Sequence, residues 1–106
     1  MFFELRQYRC RPGKRDEWVK FMDEEIIPYQ VKCGMVILGA FIAPEDPDLY
    51  VWIRRFESQA QKEALYAATY QNDTWRNEFS PRVEEMIFRD QIKVTILEAT
   101  PRSVIQ

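Results

Sequence analysis

The chain opens on an alternating segment. Between Phe2 and Arg9, Phe3, Leu5 and Gln7 fall on one side, while Glu4, Arg6 and Tyr8 fall on the other. A period of two predicts a strand. Pro12-Gly13 breaks the chain, and Trp18, Phe21, Met22, Ile26 and Tyr29 then recur every three or four residues. That spacing makes one apolar helical stripe, with Asp16 and Lys20 paired on the wet side. Pro28 must kink or end this helix, and Gly34 is a natural terminator if it runs on. Met35–Ala43 is almost wholly apolar, which predicts a strand buried on both faces. Pro44–Asp48 reads as a turn, so Leu49–Phe56 should return antiparallel.

Ser58 and Gln61 form a capping box at a second helix start. Ala60, Ala64, Ala67 and Ala68 give that helix a small-residue face suited to close packing on a sheet. Asn72-Asp73 interrupts it and can cap a new helix. Trp75, Phe79, Val83, Met86 and Ile87 keep helical spacing, with an irregularity expected at Pro81. Gln91–Glu98 reads as a last strand with Ile92, Val94 and Ile96 on one face. The order β-α-β-turn-β-α-α-β is two strand-helix-strand halves, the split βαβ of an α+β, ferredoxin-like domain. This predicts a four-stranded antiparallel sheet with helices on one face and the first and third strands central. Residues 1–98 form the single domain and residues 99–106 a C-terminal tail.

Composition narrows the chemistry. The 106 residues carry 15 Lys and Arg against 17 Asp and Glu, a net charge of -2, which argues against nucleic-acid binding. The chain has no histidine, so imidazole bases, histidine metal ligands and a proximal haem histidine are excluded. No glycine-rich phosphate loop, nucleophile elbow or zinc-type cysteine spacing is present. The Glu45-Asp46-Asp48 cluster reads as a solvated turn rather than a metal site. No metal or other cofactor is expected. Cys10 and Cys33 flank the first helix, which would separate them by about 25 Å, so two free thiols are expected. Free thiols, no secretion signal and no apolar run of bilayer length give a cytoplasmic expectation, with no membrane partner.

Several stretches resemble the NIPSNAP family. They are Phe3-Glu4-Leu5-Arg6-Gln7-Tyr8, the Arg11-Pro12-Gly13-Lys14 turn, Ile53-Arg54-Arg55-Phe56-Glu57-Ser58, and Trp75 after an Asn-Asp break. Their order and spacing cover residues from about Phe2 to Leu97. The resemblance implies a homodimer in which two ferredoxin-like subunits press their open sheet faces together into one α/β barrel. Related barrels include cofactor-independent monooxygenases, haem-degrading enzymes and small isomerases. Where family members often carry a His-x-Trp pair in the third strand, this chain has Trp52 and Arg54, which weakens a haem reading most.

The two central strands supply a candidate site. Leu5, Val51 and Ile53 suit the helix-covered face. The opposite face then carries Glu4, Arg6, Tyr8, Tyr50, Trp52, Arg54 and Phe56 and would be buried between the two copies. Two arginines against one glutamate leave excess positive charge among aromatic walls, which suits an aromatic or enolisable anion. Arg6, Tyr8, Trp52, Arg54, Tyr50 and Phe56 are the candidate ligand contacts. Glu4 is the one conceivable general base on that face and Tyr8 a candidate proton donor. Such a site would fit a cofactor-independent monooxygenase- or isomerase-like enzyme. The alternative is a non-catalytic structural or partner-binding module, with Glu4, Arg6 and Arg54 as an ion network in a filled barrel. Val104 and Ile105 suggest that the tail lies against a partner's edge strand.

Overall fold

In the computed structural model, which describes residues 1–106, the alternation of the first segment becomes the sheet's inner strand. β1 (Phe2–Arg9) lies between β3 (Asp46–Phe56) and β4 (Lys93–Leu97), with β2 (Val36–Ala43) outside β3. All neighbours are antiparallel, in the order β2-β3-β1-β4. The β1–β3 register sets Glu4 opposite Arg54, Arg6 opposite Trp52 and Tyr8 opposite Tyr50. Paired residues share a face, so charges and rings gather on one side of the two inner strands. The β2–β3 turn is tighter than expected, with Ala43 already facing Asp46.

β2 differs from its prediction. It is an edge strand with one neighbour, and Val36, Leu38, Phe41 and Ile42 stay exposed. A continuous apolar run signals burial only when something covers both faces, and this single chain supplies cover for one.

The helices cover one face. α1 (Arg15–Phe21) and α2 (Ile27–Lys32) form one continuous rod through the wide turn Met22–Ile26. Ile27 N–H donates to Met22 O, five residues back. Pro28 explains the widening, because it has no N–H and its ring would strike the carbonyl four residues earlier. Pro81 repeats the device. Ser80 N–H donates to Trp75 O in the wide turn Trp75–Phe79, and α4 (Ser80–Met86) follows. Gly34 ends the first rod at a φ of 105°, where a Cβ would sit 2.9 Å from the Leu65 side chain.

α3 (Gln59–Tyr70) starts at the expected cap. Ser58 Oγ accepts from Gln61 N–H at 3.1 Å, while Gln61 Oε1 reaches back to Glu57 N–H. Asn72 Oδ1 caps the next helix through Trp75 N–H at 2.9 Å. α3 does not pack through alanine. Ala60, Ala64, Ala67 and Ala68 are exposed, and Lys62, Tyr66, Thr69 and Tyr70 turn inward. The strands beneath present a carboxylate and guanidinium groups, which small apolar side chains could not satisfy.

The main correction concerns the two sheet faces. The side bearing Glu4, Arg6, Tyr8, Tyr50, Trp52, Arg54 and Phe56 lies under the chain's own helices, not on the open face. Tyr8 packs on Trp18 of α1, and Arg54 meets Gln30 of α2 and Tyr70 of α3. Leu5, Val51 and Ile53 instead belong to the open face, with Phe3, Phe41 and Leu97. Both faces are apolar enough for a core, so period two alone could not choose between them. The helices supply the hydroxyl, amide and ammonium partners that the polar face requires. The tail folds back along the sheet. Ser103 and Ile105 return over the chain's own open face, lining a groove with Phe3, Phe41 and Leu97, while Val104 is exposed.

Candidate functional site

The polar network begins with residues whose charges must be met because they are buried. Arg54 is fully buried. One terminal nitrogen, Nη1, donates to Gln30 Oε1 at 3.1 Å and Tyr70 OH at 2.7 Å. The other, Nη2, donates to Glu4 Oε1 at 2.8 Å and Tyr66 OH at 2.6 Å. Its Cζ also lies 4.7 Å from the Trp52 ring centroid. Glu4 accepts further from Lys62 Nζ at 2.8 Å and Tyr66 OH at 2.9 Å. Burial alone would raise the Glu4 carboxyl, but hydrogen bonds from Lys62, then the Arg54 charge, outweigh it and hold the pKa below the usual range. Glu4 is thus an engaged counter-ion, and that is not the state of a general base.

Arg6 is less fully matched. Its Nε donates to Tyr8 OH at 3.0 Å, and its nearest carboxylate oxygen, on Glu4, is 3.7 Å away. Three cations, Arg6, Lys62 and Arg54, therefore surround one carboxylate. Burial opposes the Arg6 charge, but the neighbouring Tyr8 outweighs it and the guanidinium pKa is raised.

Beside this network, between sheet and helices, lies a cavity of about 150 Å³. Arg6, Tyr8 and Trp52 line it from the sheet. Trp18, Met22, Ile26 and Gln30 line it from the first helical rod, and Tyr70, Trp75 and Val83 from the second half of the chain. Arg89, itself exposed, borders it. Both wide turns contribute to this wall, through Met22 and Ile26 on one side and Trp75 on the other. The indole N–H groups of Trp18 and Trp52 are buried and have no hydrogen-bond partner. Burial raises the Tyr70 phenol despite the opposing Arg54 charge, so it remains a neutral O–H.

The candidate residues from the sequence divide here. Arg6, Tyr8 and Trp52 line the cavity. Arg54 and Glu4 stand behind it in the network, and Tyr50 and Phe56 pack in the core. Sequence reasoning missed Trp18, Gln30, Lys62, Tyr66 and Tyr70 as site residues. Gln30 beside the apolar stripe and the i,i+4 pair Tyr66 and Tyr70 were the available signals. No group of three or more His, Cys, Asp or Glu side chains is placed to hold a metal ion. No helix is long and apolar enough to cross a membrane. Both cysteines are free, Cys10 buried and Cys33 partly exposed.

Solved structures share this fold. A NIPSNAP family protein from Agrobacterium tumefaciens is 24% identical, with 99% of this chain and 98% of that one aligned at a TM-score of 0.87. A NIPSNAP domain protein from Burkholderia xenovorans is 17% identical at a TM-score of 0.84, covering 97% and 98%. A structure described as an antibiotic biosynthesis monooxygenase is more distant, at 17% identity and a TM-score of 0.68, covering 95% and 100%. No curated protein matches the sequence. The NIPSNAP family model matches residues 3–104, nearly the whole length, and the chain belongs to the NIPSNAP family.

Proposed function

We propose that the protein binds a small aromatic or enolisable anion in the cavity between its sheet and helices. The observation that carries this reading is the cavity's lining. Arg6 brings charge that Glu4 does not fully neutralise, and Tyr8 and Tyr70, also at the wall, bring O–H groups that donate to no other side chain. A buried donor left unpaired costs about 1–3 kcal/mol, so a ligand that brings acceptors removes a standing penalty. The volume is about that of an engineered cavity known to take benzene, which suits one ring. An anion held this way suits cofactor-independent oxygenation or isomerisation, in which charge develops on the substrate. The wall offers no free carboxylate, so these side chains stabilise charge rather than remove a proton.

The open sheet face supports a homodimer. Val36, Leu38, Phe41 and Leu97 are each at least 40% exposed on one side of the sheet or at its edge, and apolar side chains grouped in this way suit an interaction surface. The small-molecule site would then lie within each subunit, behind the shared face. Two free thiols suit a cytoplasmic setting.

Calorimetric titration with benzoate tests the binding reading. Binding should weaken by about tenfold or more in Arg6→Ala, since a hydrogen bond to a charged group contributes about 1.5–3 kcal/mol. Equal affinity in the variant would remove Arg6 from the site. The engagement of Glu4 by Arg54 and Lys62 favours a second reading, a purely structural module with no ligand. Failure of every one-ring anion to bind would favour it.

A further inference from the structure

We propose that the cavity is an oxyanion receptor for one-ring phenols and enols, holding them as their conjugate bases. This deepens the binding reading above and rests on it. The polar side chains at the wall bring mostly donors, and one of them is the charged Arg6. Tyr8 oxygen accepts from Arg6 Nε, which leaves the Tyr8 proton without an acceptor. Tyr70 oxygen accepts twice, from Arg54 Nη1 at 2.7 Å and Gln30 Nε2 at 2.9 Å. That leaves its own proton free and its orientation fixed from behind. The one side-chain carbonyl at the wall, Gln30 Oε1, accepts from the charged Arg54 Nη1 at 3.1 Å, which weakens its second lone pair as an acceptor.

A neutral phenol entering this cavity brings an O–H whose side-chain acceptors, Tyr8 oxygen and Gln30 Oε1, are each already engaged by a guanidinium. The phenolate brings only acceptors, and a charge opposite to that of Arg6. The site therefore discriminates between two protonation states of one ligand, which plain hydrophobic burial would do in the other direction. On binding, the O–H bond breaks heterolytically, its electron pair stays on the ligand oxygen, and the proton passes to solvent water and buffer. Arg54 and Gln30 act as positioning residues for Tyr70.

A pH titration of 4-nitrophenol bound to the full chain, read by visible absorption, tests the proposal, because its acid and anion absorb at different wavelengths. The apparent pKa of the bound probe should fall by at least about one unit, a tenfold preference for the anion. Benzoate should displace it. Tyr70→Phe and Tyr8→Phe keep a ring at each position and should each shrink the shift. If the probe binds and benzoate displaces it with the pKa unchanged or raised, the oxyanion proposal is overturned while anion binding stands. A full shift in both variants also overturns it, by placing the probe elsewhere. If neither probe nor benzoate binds, the binding reading fails and takes the proposal with it.

Discussion

Replacing Arg54 by Met removes the buried guanidinium while keeping an unbranched side chain in place. Four hydrogen bonds to oxygen are lost, to Gln30, Tyr70, Glu4 and Tyr66, together with a weak one to Met35 sulfur. Breaking a buried ion pair from one side costs about 3–5 kcal/mol. Glu4 keeps Lys62 at 2.8 Å and Tyr66 at 2.9 Å, which places this case at the lower end, about 3 kcal/mol. At about 4–8 °C per kcal/mol for a domain of this size, Tm should fall by roughly 12–24 °C. Glu4→Leu/Arg54→Met removes both charges and lets the one-fifth-exposed Lys62 turn to water. Its cost should be smaller than the sum of the single variants by at least about 1 kcal/mol. Urea denaturation at one fixed protein concentration measures all three, since any self-association makes stability depend on concentration. A cost below about 1 kcal/mol for Arg54→Met, or additivity in the cycle, would refute the placement of this network at the structural centre. The pH dependence has a definite sign. Glu4 has a lowered folded pKa, so its contribution is complete above the unfolded carboxyl value and is lost as pH falls through the folded one. The wild type should therefore lose more stability on acidification than the double variant.

Other expectations follow from the same geometry. Native protein should present one thiol to an aromatic disulfide reagent, Cys33, and reveal the second only on unfolding, because Cys10 is buried and its pKa pushed up to about 11 by burial and by Asp48. Light scattering should give twice 12.8 kDa, and Phe41→Asp on the open face should shift the particle to the monomer mass. Glu25→Ala should change stability by less than about 1 kcal/mol despite the 2.7 Å contact with Arg82, because both side chains are substantially exposed. Equal reactivity of both thiols, an unchanged mass for Phe41→Asp, or a large loss for Glu25→Ala would contradict these points in turn.

Much of the fold was legible because its signals are local. Alternation in Phe2–Arg9 and Leu49–Phe56, the Ser58 cap and the Asn72 cap each describe a few adjacent residues, and each appears in place. The two prolines announced irregularities, though not that both would widen a helical turn around one cavity. What the sequence left open is tertiary. Glu4, Arg6 and Arg54 share a face by periodicity, yet whether helices or a second subunit cover that face depends on partners elsewhere in the chain. Those partners, Gln30, Lys62, Tyr66 and Tyr70, lie on two different helices. The alanines of α3 illustrate the same limit, since small residues suit close packing and equally suit an exposed helix surface. The cavity was invisible for a related reason. It exists between Trp18, Trp52 and Trp75, and each alone reads as an ordinary core residue.

The central claim is that the space between sheet and helices takes an anionic acceptor against Arg6, Tyr8 and Tyr70. Proton–nitrogen correlation spectra of uniformly ¹⁵N-labelled protein during benzoate titration test it most directly, with the three indole signals assigned by single Trp→Phe variants. The Trp18 and Trp52 indole N–H resonances should shift and saturate together with the calorimetric binding curve, because both rings line the cavity. Saturated binding with both resonances unmoved would place the ligand elsewhere and contradict the account.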